Sequence, residues 1–293
     1  MDISELKRNL VEAIRVCETS LPEDVKNALR RVYENEDREL PRKILEILLE
    51  NIRVAEKERR PICQDTGILT FYVKRGKWRE VELQKIIIDA VKEASEEVPL
   101  RPNVIDFPSG RNSGNNTGRF IPWIIWEPGG EKLEITVIAK GGGSETVSSL
   151  KVLPPTAGRK EIFQTVLENV AKAGARPCPP IILGVGIAPF SEIALELAKR
   201  AIYLRPLGQR HENSIIAEME EDLLRMVNSL DIGVQGLGGI TALDLHIENA
   251  SIHPSSMALG VVGSCWALRK ATLKECGSTV KIVGHNTHPK SKY

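Results

Sequence analysis

Three cysteines set in polar turns are the residues of this chain best suited to chemistry. Cys63 lies in "RPICQDTGILTFYVKRG", between a proline and a run of Gln, Asp, Thr and Gly, and apolar alternation resumes only at Ile68, Leu69, Phe71 and Val73. Cys178 is framed by Pro177 and Pro179 just before "IILGVGI", and Cys265 follows "VVGS" at the end of another apolar run. A thiol in a polar turn is an incidental small residue, a nucleophile or a metal ligand. Proline beside Cys178 stiffens the backbone and removes amide donors, a setting that suits a fixed ligand. Three thiolates can hold a 4Fe-4S cluster with one open iron, a Lewis acid suited to hydratase chemistry. Zinc held by three cysteines and a histidine is the structural competitor.

Other polar motifs flank these thiols. Gly141, Gly142 and Gly143 in "KGGGSETVSSL" follow a strand, so their amides either line an anion-binding nest or make a plain tight turn. The P-loop pattern is absent, and "GVQGLGGIT" (233–241) has the wrong element order for a dinucleotide fingerprint. His246 sits in an alternating strand and reads as a structural histidine, whereas His253, ahead of Pro254 in a turn, is open to acid–base work. Cys17 lies in a helix and Cys276 in a charged segment. No CxxC occurs, and five scattered cysteines are a poor disulfide framework.

The elements that must position these residues alternate between helix and strand. Residues 1–60 read as a helical N-terminal region, with stripes at Leu6, Leu10, Ala13, Ile14 and at Ile44, Ile47, Leu48, Ile52. A strand at 68–74 and a helix at 81–97 follow, then a long polar loop, "RPNVIDFPSGRNSGNNTG" (101–118). Strands are expected at "WIIW", 132–140, "CPPIILGVGI", "TALDLHIENA", "MALGVVG" and "STVKIV", with helices near 160–173, 191–202 and 212–229. The fold class is α/β (α+β mixed): a helical N-terminal region, then mixed β-sheets covered by helices over 61–284, and a tail at 285–293. With 293 residues, 42% of them hydrophobic, the chain can bury a large core. A net charge of +1 offers no bulk field for nucleic acid or an anionic membrane. No apolar run reaches a membrane span and the N-terminus has no signal core, so a soluble cytoplasmic protein is expected.

Taken together, "CQDTG", "KGGGSE", "CPPIILGVGI", "GLGGITALDLHIE" and "HPSSMALGVVGSC" resemble the alpha subunit of two-subunit class I fumarases and L-tartrate dehydratases, which are iron–sulfur hydro-lyases. The resemblance spans about residues 5–280. It implies a 4Fe-4S cluster on Cys63, Cys178 and Cys265, substrate contacts from Gln64, Asp65, Arg101 and Gly142, and catalytic roles for Asp65 and His253. It also implies a separate beta subunit, an alpha2beta2-type assembly and a dicarboxylate substrate. Fumarate with L-malate is the first expectation and L-tartrate the alternative. A non-catalytic iron–sulfur or zinc module, or a dicarboxylate-binding regulatory homologue, remains open. One departure stands out: where the family carries a "GIGG"-like turn, this chain reads "GIAPFSEIA", made bulkier by Pro189 and Phe190.

Overall fold

The computed structural model describes residues 2–285, so all of the expected tail except His285 lies outside the described residues. Along the chain run α1 (Ile3–Thr19), α2 (Glu23–Asn35), α3 (Glu39–Glu58), β1 (Ile68–Arg75), α4 (Glu80–Glu97), β2 (Trp123–Trp126), β3 (Leu133–Lys140) and β4 (Ser149–Leu153). Then come α5 (Arg159–Ala173), β5 (Ile181–Ala188), α6 (Ser191–Tyr203), α7 (Ser214–Asn228), β6 (Ala242–Asn249), β7 (Met257–Ser264), β8 (Arg269–Cys276) and β9 (Thr279–Val283). These elements make two compact units interleaved in sequence. Residues 2–23, 50–141 and 269–285 form the first, and residues 24–49 and 142–268 the second.

The first unit is a five-stranded sheet in the order β2-β1-β3-β8-β9. Only the β1–β2 pair is parallel; β3 and β8 pair antiparallel, as do β1 and β3, with Phe71 opposite Val137. Alternation puts Leu69, Phe71 and Val73 of β1 and Leu133, Ile135, Val137 and Ala139 of β3 on one face. There they meet Leu6, Leu10 and Ile14 of α1 and Leu83, Ile87 and Ala90 of α4. Burying each of the larger side chains contributes about 1.5–3 kcal/mol. The Asp2 side chain opens α1 by accepting the Glu5 N–H at 2.7 Å. β8 was not expected from the sequence. Its inward residues Ala271 and Leu273 join this core, but the first inward position is the buried Arg269, so only two apolar residues mark the strand.

The second unit is a four-stranded sheet, β4-β7-β5-β6, in which β5 and β6 are parallel and the other pairs antiparallel. Leu183, Val185, Leu245, Ile247, Leu259 and Val261 bury one face against Phe163 and Val166 of α5 and Leu223 and Val227 of α7. On β5 the alternate positions are glycines, and there α6 lies directly on the strand backbone. A methyl at Gly184 would stand 2.0 Å from the Ala198 carbonyl oxygen, and one at Gly186 1.9 Å from that of Ala194. The small residues Ala194, Ala198 and Ala201 of α6 complete this close approach. β4, a short edge strand with exposed Leu150 and Val152, was also absent from the sequence expectation.

A charged network ties the α6–α7 connection to β6. Arg205 bonds Glu220 and Glu248, each at 2.6 Å, and Arg210 bonds Asp244 at 2.5 Å. His246 is fully buried between the Ala201 carbonyl and Asp244, the structural role expected of it. Burial opposes the Asp244 charge, but His246, Arg210 and the Gly208 N–H outweigh it and hold that carboxyl far below its usual range. Helices thus cover mixed sheets behind a helical N-terminal region, as the sequence implies. Among the described residues no helix is long and apolar enough to cross a membrane.

Candidate functional site

In the first unit the "CQDTG" turn hangs between α1 and α3. The Ile62 N–H donates to the Glu18 carbonyl at 2.9 Å, and the Asn51 side chain donates to the Ile62 carbonyl at 3.0 Å. Cys63 is half-buried and Gln64 exposed on this turn. Asp65 is held within it: its Oδ1 accepts from the Gly67 N–H at 2.9 Å and from Asn103 Nδ2 at 3.1 Å. Arg101 is exposed, and its backbone N–H donates to Thr66 Oγ1 at 3.1 Å. The start of the long polar loop is therefore pinned to the cysteine turn. Arg101, separated in sequence from Gln64 and Asp65 by β1 and α4, thus shares one neighbourhood with them.

Behind Asp65 lies a buried ion pair. Arg269 Nη1 donates to Glu18 Oε2 at 2.6 Å, and both side chains are almost fully excluded from solvent. Glu18 Oε1 is buried without a hydrogen-bond partner among the described residues. Burial pushes the Glu18 carboxyl up to about 7, against the pull of Arg269 and with a further push from Asp65. Cys17, next along α1, is fully buried, and burial followed by the Glu18 charge drives its thiol far above the usual range. That environment keeps Cys17 an inert core thiol, bonded to the Val137 carbonyl at 3.7 Å.

In the second unit Cys178 and Cys265 lie on adjoining segments. The Trp266 N–H donates to the Cys178 carbonyl at 3.4 Å, which brings the residue after one thiol onto the backbone of the other. Cys178 is exposed and Cys265 half-buried. Cys178 adopts φ +55°, a left-handed conformation that costs a non-glycine residue roughly 1–2 kcal/mol. Strain of this kind persists where surrounding structure fixes it and is frequent at functional sites. Gly142 opens a 3-10 turn, Gly142–Val147, and a methyl there would meet nothing within 4 Å.

His253 is exposed on the turn before β7 and its Nδ1 accepts the Ser255 N–H at 3.0 Å. In the neutral ring this leaves the proton on Nε2, ready to be donated. Phe190, from the bulky "GIAPF" stretch, lies beside it with ring centroids 6.4 Å apart. The "GVQGLGG" glycines form a tight turn ahead of β6, closed by the Val234 N–H on the Gly238 carbonyl at 2.8 Å.

Cys63 thus belongs to the first unit and Cys178 and Cys265 to the second. Among the described residues no group of three or more His, Cys, Asp or Glu side chains is gathered as a metal-binding cluster. No disulfide joins any of the five cysteines, all of which lie among the described residues. Glu18, Asn103 and Arg269 were missed by sequence reasoning, which named Gly141 only as part of the glycine turn. Glu18 left one signal, a carboxylate one turn after Ile14 on the apolar stripe of α1; the others are placed by tertiary contacts alone.

Comparison with known proteins identifies the family. A family model described as "Fumarate hydratase (Fumerase)" matches residues 7–274. A Methanocaldococcus jannaschii protein named "Putative L(+)-tartrate dehydratase subunit alpha" is 44% identical over 279 residues, 92% of this chain and 96% of that one. The "L(+)-tartrate dehydratase subunit alpha" of Escherichia coli K12 is 37% identical over 276 residues, 92% of this chain and 91% of its own. With the family model running from α1 through β8 and relatives matched over nearly their full length, the chain belongs to the fumarate hydratase family of hydro-lyases.

Proposed function

We propose that this chain is the alpha subunit of an L(+)-tartrate dehydratase-type hydro-lyase that works with a separate beta subunit in an alpha2beta2-type assembly. The observation carrying the substrate is the name shared by relatives at 44% and 37% identity, each matched over more than nine-tenths of its length. Those names favour the alternative of the sequence reading over its first choice, fumarate and L-malate. The fumarate reading keeps one support, the description of the family model.

Cys63, Cys178 and Cys265 would hold a 4Fe-4S cluster. Their accessibility suits ligands better than the sealed interior around Cys17, and a set of three thiolates matches the donor preference of iron–sulfur clusters. When bound, the cluster would supply an open iron, a Lewis acid for the departing hydroxyl. The chain's own groups handle binding and protons. Arg101 pairs with a substrate carboxylate, and the Gly142 amide and Gln64 hydrogen-bond the dicarboxylate beside it. Asp65, fixed through Oδ1, and His253, protonated at Nε2, orient the leaving oxygen and deliver or accept its proton.

Anaerobic reconstitution of the chain with its beta-type partner tests the reading. Dehydration of L(+)-tartrate should exceed hydration of fumarate in kcat/KM. Fumarate hydration as the dominant activity would return the chain to the fumarase reading, and absence of both would contradict an enzymatic role.

A further inference from the structure

Arg269 begins β8, buried at 3% exposure, with Glu18 on its Nη1 side. Its Nη2 lies 3.6 Å from the point where a methyl on Gly141 would sit, and Asp65 Oδ2 lies 2.8 Å from that same point. Guanidinium and carboxylate therefore share the space that the missing Gly141 side chain leaves open. The other Asp65 oxygen is fixed by Gly67 and Asn103. A buried ion pair is weak evidence for stability, because desolvation offsets most of its attraction and apolar replacements of similar volume are often as stable. Its placement against a turn acid calls for another account.

We propose that Arg269, held in place by Glu18, is a positioning residue that fixes the orientation of the Asp65 carboxylate for its work on the substrate. Glu18 at the end of α1, Arg269 at the start of β8 and Asp65 of the cysteine turn lie in succession around Gly141, all within the first unit. A planar guanidinium held by one carboxylate can present its second nitrogen to another in a fixed direction, which an ammonium cannot do. The inference rests on the reading of Asp65 given above.

The test uses the double variant Glu18→Gln/Arg269→Met, which leaves no unpaired buried charge. Three measurements are made: thermal unfolding of the full chain, the Asn103 side-chain amide resonances of the full chain, and kcat and KM of the complex with its beta-type partner on L(+)-tartrate. The expected result is a folded chain with shifted Asn103 resonances, because Asp65 Oδ1 no longer sits against that amide. A misplaced reacting group costs on the order of 100-fold, so kcat should fall by about that factor. KM should stay within about threefold, as expected for an interaction used mainly in the transition state. Arg269→Lys, which keeps the charge without the fork, should fall between. A folded double variant with unchanged Asn103 resonances, or with unchanged kcat, overturns the proposal. If the unsubstituted complex turns over neither tartrate nor fumarate, the proposed function fails while the amide resonances still decide the positioning role.

Discussion

Gly141→Ala perturbs the Asp65 environment with a single methyl. That methyl would sit 2.8 Å from Asp65 Oδ2 and 3.3 Å from its Cγ. Ordinary contact begins near 3.4 Å, so the carboxylate must withdraw by about 0.6 Å (3.4 − 2.8) or rotate. The displaced atoms end a half-buried side chain, so the fold yields cheaply; loss of the Asn103 contact would cost about 1 kcal/mol. Activity is more sensitive. Misplacement by 1 Å can cost on the order of 100-fold, so a shift of this size should lower kcat roughly tenfold. Gly130→Ala is the matched control, since its methyl comes no closer than 3.8 Å to a neighbour, the Lys132 nitrogen, and Gly130 has no part in the proposed site. Urea denaturation gives the stability of each variant, and tartrate kinetics of the complex with its partner give the activity. Gly141→Ala with undiminished kcat would refute the reasoning, whatever its stability.

Other outcomes follow from the same contacts. Gly186→Ala should destabilise the second unit by about 3 kcal/mol or more, because the obstacle is α6 backbone and no side chain can yield; denaturant midpoints measure this. Cys178→Gly should stabilise the apo chain by roughly 1 kcal/mol through relief of φ +55° while removing iron binding, so calorimetry and iron analysis should move in opposite directions. Between pH 4.5 and about 7 folded Glu18 retains a proton that the unfolded chain has released. Its contribution is thus full below pH 4.5 and is lost as pH rises to about 7. The loss is about 3 kcal/mol for a shift of this size, and Glu18→Gln should flatten that part of the stability profile measured in urea.

Much of this molecule is legible in its sequence. The stripes of α1 and α4 and the alternation of β1 and β3 report the first core directly, because each element has one buried face. β5 also reads as a strand, yet the reason for its glycines lies in α6, which no local pattern reveals. β8 escaped because one of its inward positions holds a charge, Arg269, leaving only Ala271 and Leu273 as apolar signal, and β4 because Leu150 and Val152 point outward from an edge. At the site, Gln64, Asp65, Arg101 and Gly142 were named through the family resemblance, whereas the three cysteines and His253 stood out by their polar turns. Arg269 and Glu18 did not, since a charge inside a strand or helix reads as surface until tertiary contacts bury it.

Iron and acid-labile sulfide per chain, measured after anaerobic reconstitution of single Cys→Ser variants, test the central claim most directly. Roughly four of each per chain are expected for the unsubstituted protein. Both should collapse in Cys63→Ser, Cys178→Ser and Cys265→Ser and persist in Cys276→Ser. Full iron and sulfide in any of the first three variants would contradict the account.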